Sequence, residues 1–335
     1  MNWRIVPLCL LLLLFPLAAC VSQSTSSESQ EAIHTETVQT DAMDSLPALA
    51  PADLKPGEKL RVVATTNLVA DVVGRVGGDA IHLTGLLPPG ADPHGYQAAP
   101  ADLRAINDAH LLFVNGLGLE ESLVSILHEA QAQTVAVNLG VETIQGIDGP
   151  DHADEHSRGA NPHTWWSVAA VEQWTRNIEQ ALATVDPTHA EQYAANAHAY
   201  RSELAGLRDE LDKLVGQLSP EDRKLATDHD TLAYFARDFG FQVVGLVVPS
   251  FSTLAEPSAK HLAALQDQIR AEDVRAIFVG STVNPRQAEQ LAQDLGIRVV
   301  PLFTDSLSAP DGPAPNYLAF MRYNVAAIVA ALAQP

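Results

Sequence analysis

The feature that most constrains this chain is a long amphipathic stretch placed between two sets of short apolar runs. Over 186–219 the positions Tyr193, Ala197, Tyr200, Leu204, Leu207, Leu211, Leu214 and Leu218 recur at spacings of three and four, the period of one helix face. Asp186-Pro187 supplies an N-cap and a first-turn proline, and Ser219-Pro220 a stop. The spacing predicts one helix of about 30 residues, near 45 Å at 1.5 Å per residue, more than a crossover between neighbouring strands needs. Upstream, LRVVATT (60–66), HLLFVN (110–115) and TVAVNL (134–139) read as buried strands. Downstream, QVVGLVV (242–248), VRAIFV (274–279) and IRVVPLF (297–303) do the same. Segments with helical spacing alternate with them, such as 100–107 and 285–295, each opened by a proline suited to a first turn. Strand–helix alternation implies parallel sheets with helices on both faces. The expected fold is α/β, two lobes joined by the long helix; the alternative is one larger domain that carries it on its surface. A single rigid connector would limit hinge motion.

Ahead of the strands lies an almost wholly apolar run over 5–19 (IVPLCLLLLLFPLAA), after Arg4 and before Cys20. About fifteen residues fall short of the roughly 20 that a membrane-spanning helix requires, so 1–19 reads as a signal peptide and the protein as exported. Leu17-Ala18-Ala19-Cys20 resembles a bacterial lipobox, with Cys20 taking the lipid; an ordinary signal peptide with an incidental cysteine is the alternative. Cys9 leaves with the signal, so the mature chain keeps one thiol, forms no internal disulfide and relies on its core. Residues 20–58, rich in Ser, Thr, Glu, Ala and Pro, read as a flexible tether with an r.m.s. reach of about 35 Å. The folded body is expected to begin near Lys59, with a first lobe over 59–185, the linking helix over 186–219 and a second lobe over 220–335.

At 335 residues and 47% hydrophobic, the chain can bury a core in each lobe. Its 20 Lys+Arg against 41 Asp+Glu leave a net charge of −21 with no basic cluster, which repels phosphate backbones and argues against nucleic acid. A cation is the more natural partner. No GxxxxGK[ST] and no GxGxxG follows a strand, and the glycines at 116 and 118 are too few for a dinucleotide turn.

Of the 12 His, most fall within helical or strand patterns or in the tether and read as surface or packing residues: His34, His82, His110, His128, His189, His198 and His261. Three differ. His94 lies in PPGADPHGY after a strand-like IHLTGLL, His163 in NPHTWW, and His229 in DHDTLAYFARDFG where a β-like KLATD meets a helix. Each is placed in a loop or at a strand end, where sites of open α/β sheets collect. A preceding proline stiffens His94 and His163, and an adjacent ring shields the site from water. Three neutral imidazoles plus one carboxylate make a tetrahedral set suited to Zn²⁺; the carboxylate chosen is Asp305, just after the last strand, whose ordinary reading is a turn or N-cap. His152-Ala153-Asp154-Glu155-His156 matches H-x-x-E-H, but Gly and Pro on both sides argue against the helix a metalloprotease requires. His152 and His156 read as an accessory loop that collects cations weakly, with a simple solvated loop as the alternative.

Taken in order, ADPHGY, NGLGLE (115–120), NPHTWWS, DHDTLAYFARDFG, AEPSAKHLAAL, NPRQAEQLAQDLG and FTDSL resemble the zinc/manganese substrate-binding proteins of bacterial ABC transporters (cluster A-I, the ZnuA-like family). The likeness runs from about Leu60 to the C-terminus and includes the lipobox. It implies two Rossmann-like α/β lobes joined by a long helix, with the metal in the interlobe cleft: His94 and His163 from the first lobe, His229 and Asp305 from the second. In that family His at the third position goes with zinc and Glu with manganese, so His229 implies Zn²⁺, in line with the preference of zinc for nitrogen ligands. Many relatives carry Asp where this chain has Asn161, and an acidic residue where it has Gly280. Such partners orient imidazoles, so these departures bear on affinity.

The resemblance implies a lipid-anchored receptor outside the cytoplasmic membrane, monomeric, that captures Zn²⁺ and presents it to an ABC permease without catalysing a reaction. With four protein ligands, no coordination position is left for the activated water of a catalytic zinc. The rivals are the same receptor tuned to Mn²⁺ or Fe²⁺, a secreted zinc metallohydrolase, and a role in cell adhesion.

Overall fold

A computed structural model describes residues 46–145 and 159–333. The signal peptide, Cys20 with the tether as far as 45, and the loop bearing His152 and His156 lie outside the described residues.

Two four-stranded parallel sheets divide the chain. β1 (Leu60–Ala64), β2 (Ile81–Gly85), β3 (Leu111–Val114) and β4 (Gln133–Ala136) are ordered β2-β1-β3-β4. β5 (Lys224–Thr227), β6 (Gln242–Leu246), β7 (Ala276–Gly280) and β8 (Arg298–Leu302) repeat the order as β6-β5-β7-β8. In both sheets the strand order reverses beside the first strand, which leaves a crevice at the carboxyl ends where loops can hold a ligand. Strands buried on both faces read as unbroken apolar runs, as in β3 (LLFV) and β7 (AIFVG), whose residues are all buried. The architecture is the two-lobed α/β fold expected.

One core runs through both lobes. It joins Leu60, Val62 and Phe113 of the first sheet to Phe278 and Leu302 of the second, through Trp174, Leu204 and Phe320. Smaller clusters cover the far faces, Val63, Ile106 and Leu112 on the first sheet and Val244, Leu265, Ile277 and Leu291 on the second. The bridge is α5 (Ala190–Val215), which packs against α1 (Asn67–Gly77) and α4 (Val168–Val185) before it and α9 (Tyr317–Leu332) after it. Its buried stripe is Tyr193, Ala197, Tyr200, Leu204, Leu207, Leu211 and Val215.

Two expectations on boundaries are corrected. The helix read over 186–219 begins with a 3-10 turn, Pro187–His189, and is α-helical over Ala190–Val215. Asp186 does not cap α5; its Oδ2 accepts instead from His189 Nδ1 at 2.7 Å and the Tyr193 hydroxyl at 2.8 Å. The tether read over 20–58 is packed in its described part. Leu46, Leu49, Ala52 and Leu54 lie against the core, and Ala52 N–H donates to Val185 O at 2.8 Å while Ala50 exchanges hydrogen bonds with the Gln133 amide. Leucines spaced too irregularly for a helix or strand period still bury when an extended, proline-bearing chain lies along a groove.

Candidate metal centre

His94, His163 and His229 follow the same local rule. The Asp92 carboxylate accepts the His94 backbone N–H at 3.0 Å, the Asn161 amide oxygen accepts that of His163 at 3.0 Å, and the Asp228 carboxylate accepts that of His229 at 2.7 Å. The first two are Asx turns, which fix a loop without a ladder; the third joins adjacent residues. Two of the three acceptors also seize the ring. His163 Nδ1 donates to Asn161 Oδ1 at 2.8 Å and His229 Nδ1 to Asp228 Oδ1 at 2.9 Å, which turns each Nε2 lone pair inward.

Further layers hold these partners. Asn115 Nδ2–H donates to Pro162 O at 3.1 Å. Asn115 lies at the start of a loop with three successive positive φ values, 80° at Gly116, 57° at Leu117 and 82° at Gly118. The buried Glu120 carboxylate closes that loop, accepting from Asn115 N, Gly116 N and the Thr65 hydroxyl. On the other side, Asp228 Oδ2 accepts Gly280 N–H at 2.6 Å. A Cβ at Gly280 would lie 2.1 Å from Thr304 Oγ1 and 3.1 Å from that carboxylate oxygen, so any larger side chain here would require Thr304 to shift.

Asp305 follows β8 by three residues. Its Oδ2 accepts from the hydroxyls of Thr304 at 2.6 Å and Thr282 at 3.2 Å. Its Oδ1 is buried and has no hydrogen-bond partner. That bare oxygen lies 3.6 Å from His163 Nε2 and 3.6 Å from His229 Nε2, while His163 Nε2 is 3.2 Å from His94 Nε2 and 3.3 Å from His229 Nε2. All four donor atoms lie within 4.8 Å of one another, and the four residues are buried. Bonds of about 2.0–2.1 Å to a tetrahedral centre put donor atoms roughly 3.3–3.4 Å apart, and these separations bracket that figure. The donor set fits a divalent cation.

The electrostatics ask for positive charge at the centre. Burial pushes the His163 imidazole well below its usual pKa, and the neighbouring His229 adds to this. Burial alone would lower His229 as well, but the Asp228 and Asp305 carboxylates outweigh it and hold it well above the usual value. Burial would raise Asp305, yet His229 outweighs it and keeps the carboxyl ionised. The two carboxylates thus favour positive charge at this end of the centre. Trp165 stands edge-on to His163 with centroids 5.1 Å apart and closes one wall against water.

The remaining described histidines have ordinary roles. His110 accepts Arg61 N–H through Nδ1 and His261 donates to Leu246 O; His82 and His198 are exposed.

The family described as "Zinc-uptake complex component A periplasmic" matches residues 62–331. The chain belongs to this family. It is 30% identical over 279 residues to the manganese-binding lipoprotein MntA of Halalkalibacterium halodurans, covering 83% of this chain and 90% of that protein. It is 29% identical to the iron-binding protein YfeA of Yersinia pestis, covering 83% of this chain and 88% of the relative. Among solved structures, the periplasmic zinc-binding protein TroA of Treponema pallidum superposes with a TM-score of 0.75 at 27% identity, over 83% of this chain and all of TroA. The chain is thus a substrate-binding protein of the metal ABC transporter class, a solute-binding protein and not an enzyme, and the metallohydrolase reading is set aside. Among the described residues no helix is long and apolar enough to cross a membrane.

Reading the sequence missed Asp92 and Asp228 as supports. The signal was present: an Asp or Asn stands one or two residues before each of the three histidines, in DPH, NPH and DH.

Proposed function

We propose that this protein captures Zn²⁺ outside the cytoplasmic membrane, through His94, His163, His229 and Asp305, and delivers it to the permease of an ABC importer. One observation carries the reading: the unpartnered Asp305 Oδ1, buried and facing imidazole nitrogens at 3.6 Å. A buried carboxylate oxygen without a donor is costly, and a divalent cation removes that cost. Three nitrogens and one oxygen favour zinc over manganese, which prefers oxygen-rich sets. Coordination needs neutral imidazole, so the metal leaves when the permease spreads the lobes or when protons compete. Cys20 is proposed as the lipid anchor that keeps this monomeric receptor at the membrane.

A second reading, the same receptor for Mn²⁺ or Fe²⁺, draws on the metals for which MntA and YfeA are named. Competitive titration of metal-free protein separates the two. Zinc is expected to displace manganese and iron at equal concentration; manganese outcompeting zinc would refute the zinc assignment. Metal content by mass spectrometry after native purification, for the wild type and for His229→Ala, checks the site itself.

A further inference from the structure

Two kinds of contact hold the lobes around the site. Beside His163 the bonds are deeply buried. Trp165 Nε1–H donates to Thr304 O at 2.8 Å, Trp166 Nε1–H to Thr231 Oγ1 at 3.1 Å, and the Tyr317 hydroxyl to Trp165 O at 2.8 Å, and each of these residues is at most 1% exposed. Opening that seam would strip buried donors of their partners.

Beside His94 the contacts between the lobes are less buried: Gly90 N–H donates to Ser306 Oγ at 2.7 Å, and a second set comes from the chain after β6. Residues 247–258, the strap between β6 and α7 (Ala259–Ala271), touch the His94 segment at Asp92 and Gly95. Thr253 Oγ1 donates to Asp92 Oδ2 at 2.6 Å, and both residues are half-buried. Leu254, 57% exposed, leans on Gly95, where an added Cβ would lie 3.3 Å from Leu254 Cδ2. The other Asp92 oxygen accepts the His94 backbone N–H. The opposite end of the strap is tied to the His229 segment, Asp230 N–H donating to Ser250 O at 2.9 Å and Val248 N–H to Asp228 O at 2.7 Å. A continuous run of chain and hydrogen bonds therefore links His94 in the first lobe to His229 in the second. Against the strap lies a cavity of about 340 Å³, whose lining includes Thr253 and Glu256 on the strap and Asp228 and His229 beside the centre. Water can take over the groups of a half-buried hydrogen bond once it parts, so this contact breaks more easily than the buried seam, where water cannot follow.

We propose that this strap gates the metal site. The Thr253–Asp92 hydrogen bond is the latch; when it opens, His94 is the first ligand to let go while His163, His229 and Asp305 still hold, and the ion leaves through the cavity. Asp92 and Thr253 are positioning residues that set the rate of release. The proposal rests on the metal-receptor reading above.

The test uses the full chain loaded with Co²⁺, whose visible absorption reports tetrahedral coordination, and follows its transfer to excess chelator. Thr253→Val keeps the side-chain shape and the Asp92–His94 turn but removes the donor. Release is expected to be about tenfold faster, the net worth of one hydrogen bond to a carboxylate, with absorption spectrum and Tm close to wild type. Thr253→Ser keeps the hydroxyl and is expected to release at the wild-type rate. Tyr317→Phe, in the buried seam, is expected to lower Tm and leave release within about twofold, since it cuts no contact of the strap. A wild-type rate in Thr253→Val, or equal acceleration in Tyr317→Phe, overturns the latch. A wild-type chain that takes up neither Co²⁺ nor Zn²⁺ overturns the receptor reading itself, a result the variants cannot imitate.

Discussion

The two lobes bring two side chains each to one centre but back them with different chemistry. Behind His163 stands a neutral amide, Asn161; behind His229 stands a carboxylate, Asp228, with Asp305 beside it. The carboxylates within reach of the His163 and His229 rings thus come from the second lobe, while Asp92 of the first lobe holds His94 by its backbone N–H. On the proposed metal-receptor reading, the comparison implies a division of labour: the second lobe supplies the charge that draws a cation and the first supplies imidazoles alone.

The largest expected effect tests that division directly. Asp305→Ala is expected to lose more Zn²⁺ affinity than the roughly 10–100-fold that an outer partner is worth, measured by calorimetry against a competing chelator. Near-wild-type affinity would break the comparison. Next, Asp228→Asn is expected to cost about 10–100-fold and Asn161→Ala to fall at the lower end of that range. Equal losses would show that the charge behind the ring matters less than its orientation.

The pH dependence follows from His229. Its pKa in the metal-free protein is raised by the Asp228 and Asp305 carboxylates, so a proton on its ring competes with an incoming metal. Affinity is then expected to fall by about tenfold for each unit that the pH drops below that raised value, and calorimetry in buffers of different ionisation enthalpy should find about one proton released. The sign for stability is the opposite. A raised pKa stabilises the metal-free fold fully below the unfolded value, near 6.5, and the gain is lost as pH rises through the folded value. The metal-free Tm should fall there while the loaded protein, whose imidazole is already neutral, does not follow. The smallest effect belongs to Thr282→Val, which removes the longer of two hydroxyl contacts to Asp305 Oδ2, at 3.2 Å. A loss of about threefold in affinity is expected, which sharpens the estimate of how tightly the carboxylate is aimed.

Much of the fold was legible because its signals are local. Short β-branched runs marked the strands, and the period from Tyr193 to Leu211 marked the bridging helix. Boundaries were less legible where a side chain has two uses. Asp186 looked like a cap for α5 and serves His189 and Tyr193 instead. The stretch from Leu46 to Leu54 looked solvated because its few apolar residues follow no period, yet they dock in a groove made by distant elements.

By itself the sequence determined two parallel α/β units, a helix between them, and three histidines in loops or at strand ends, two of them stiffened by a preceding proline. Periodicity and turn chemistry report on neighbours along the chain, and those features need nothing more. Only the tertiary structure decided which donor atoms meet. The crevices at the strand ends bring His94 and His163 against His229 and Asp305. The hydroxyls of Thr282 and Thr304 occupy one Asp305 oxygen and leave the other bare. Such choices depend on the packing of residues far apart in sequence, where burial and the lack of a competing donor set the direction in which a lone pair points.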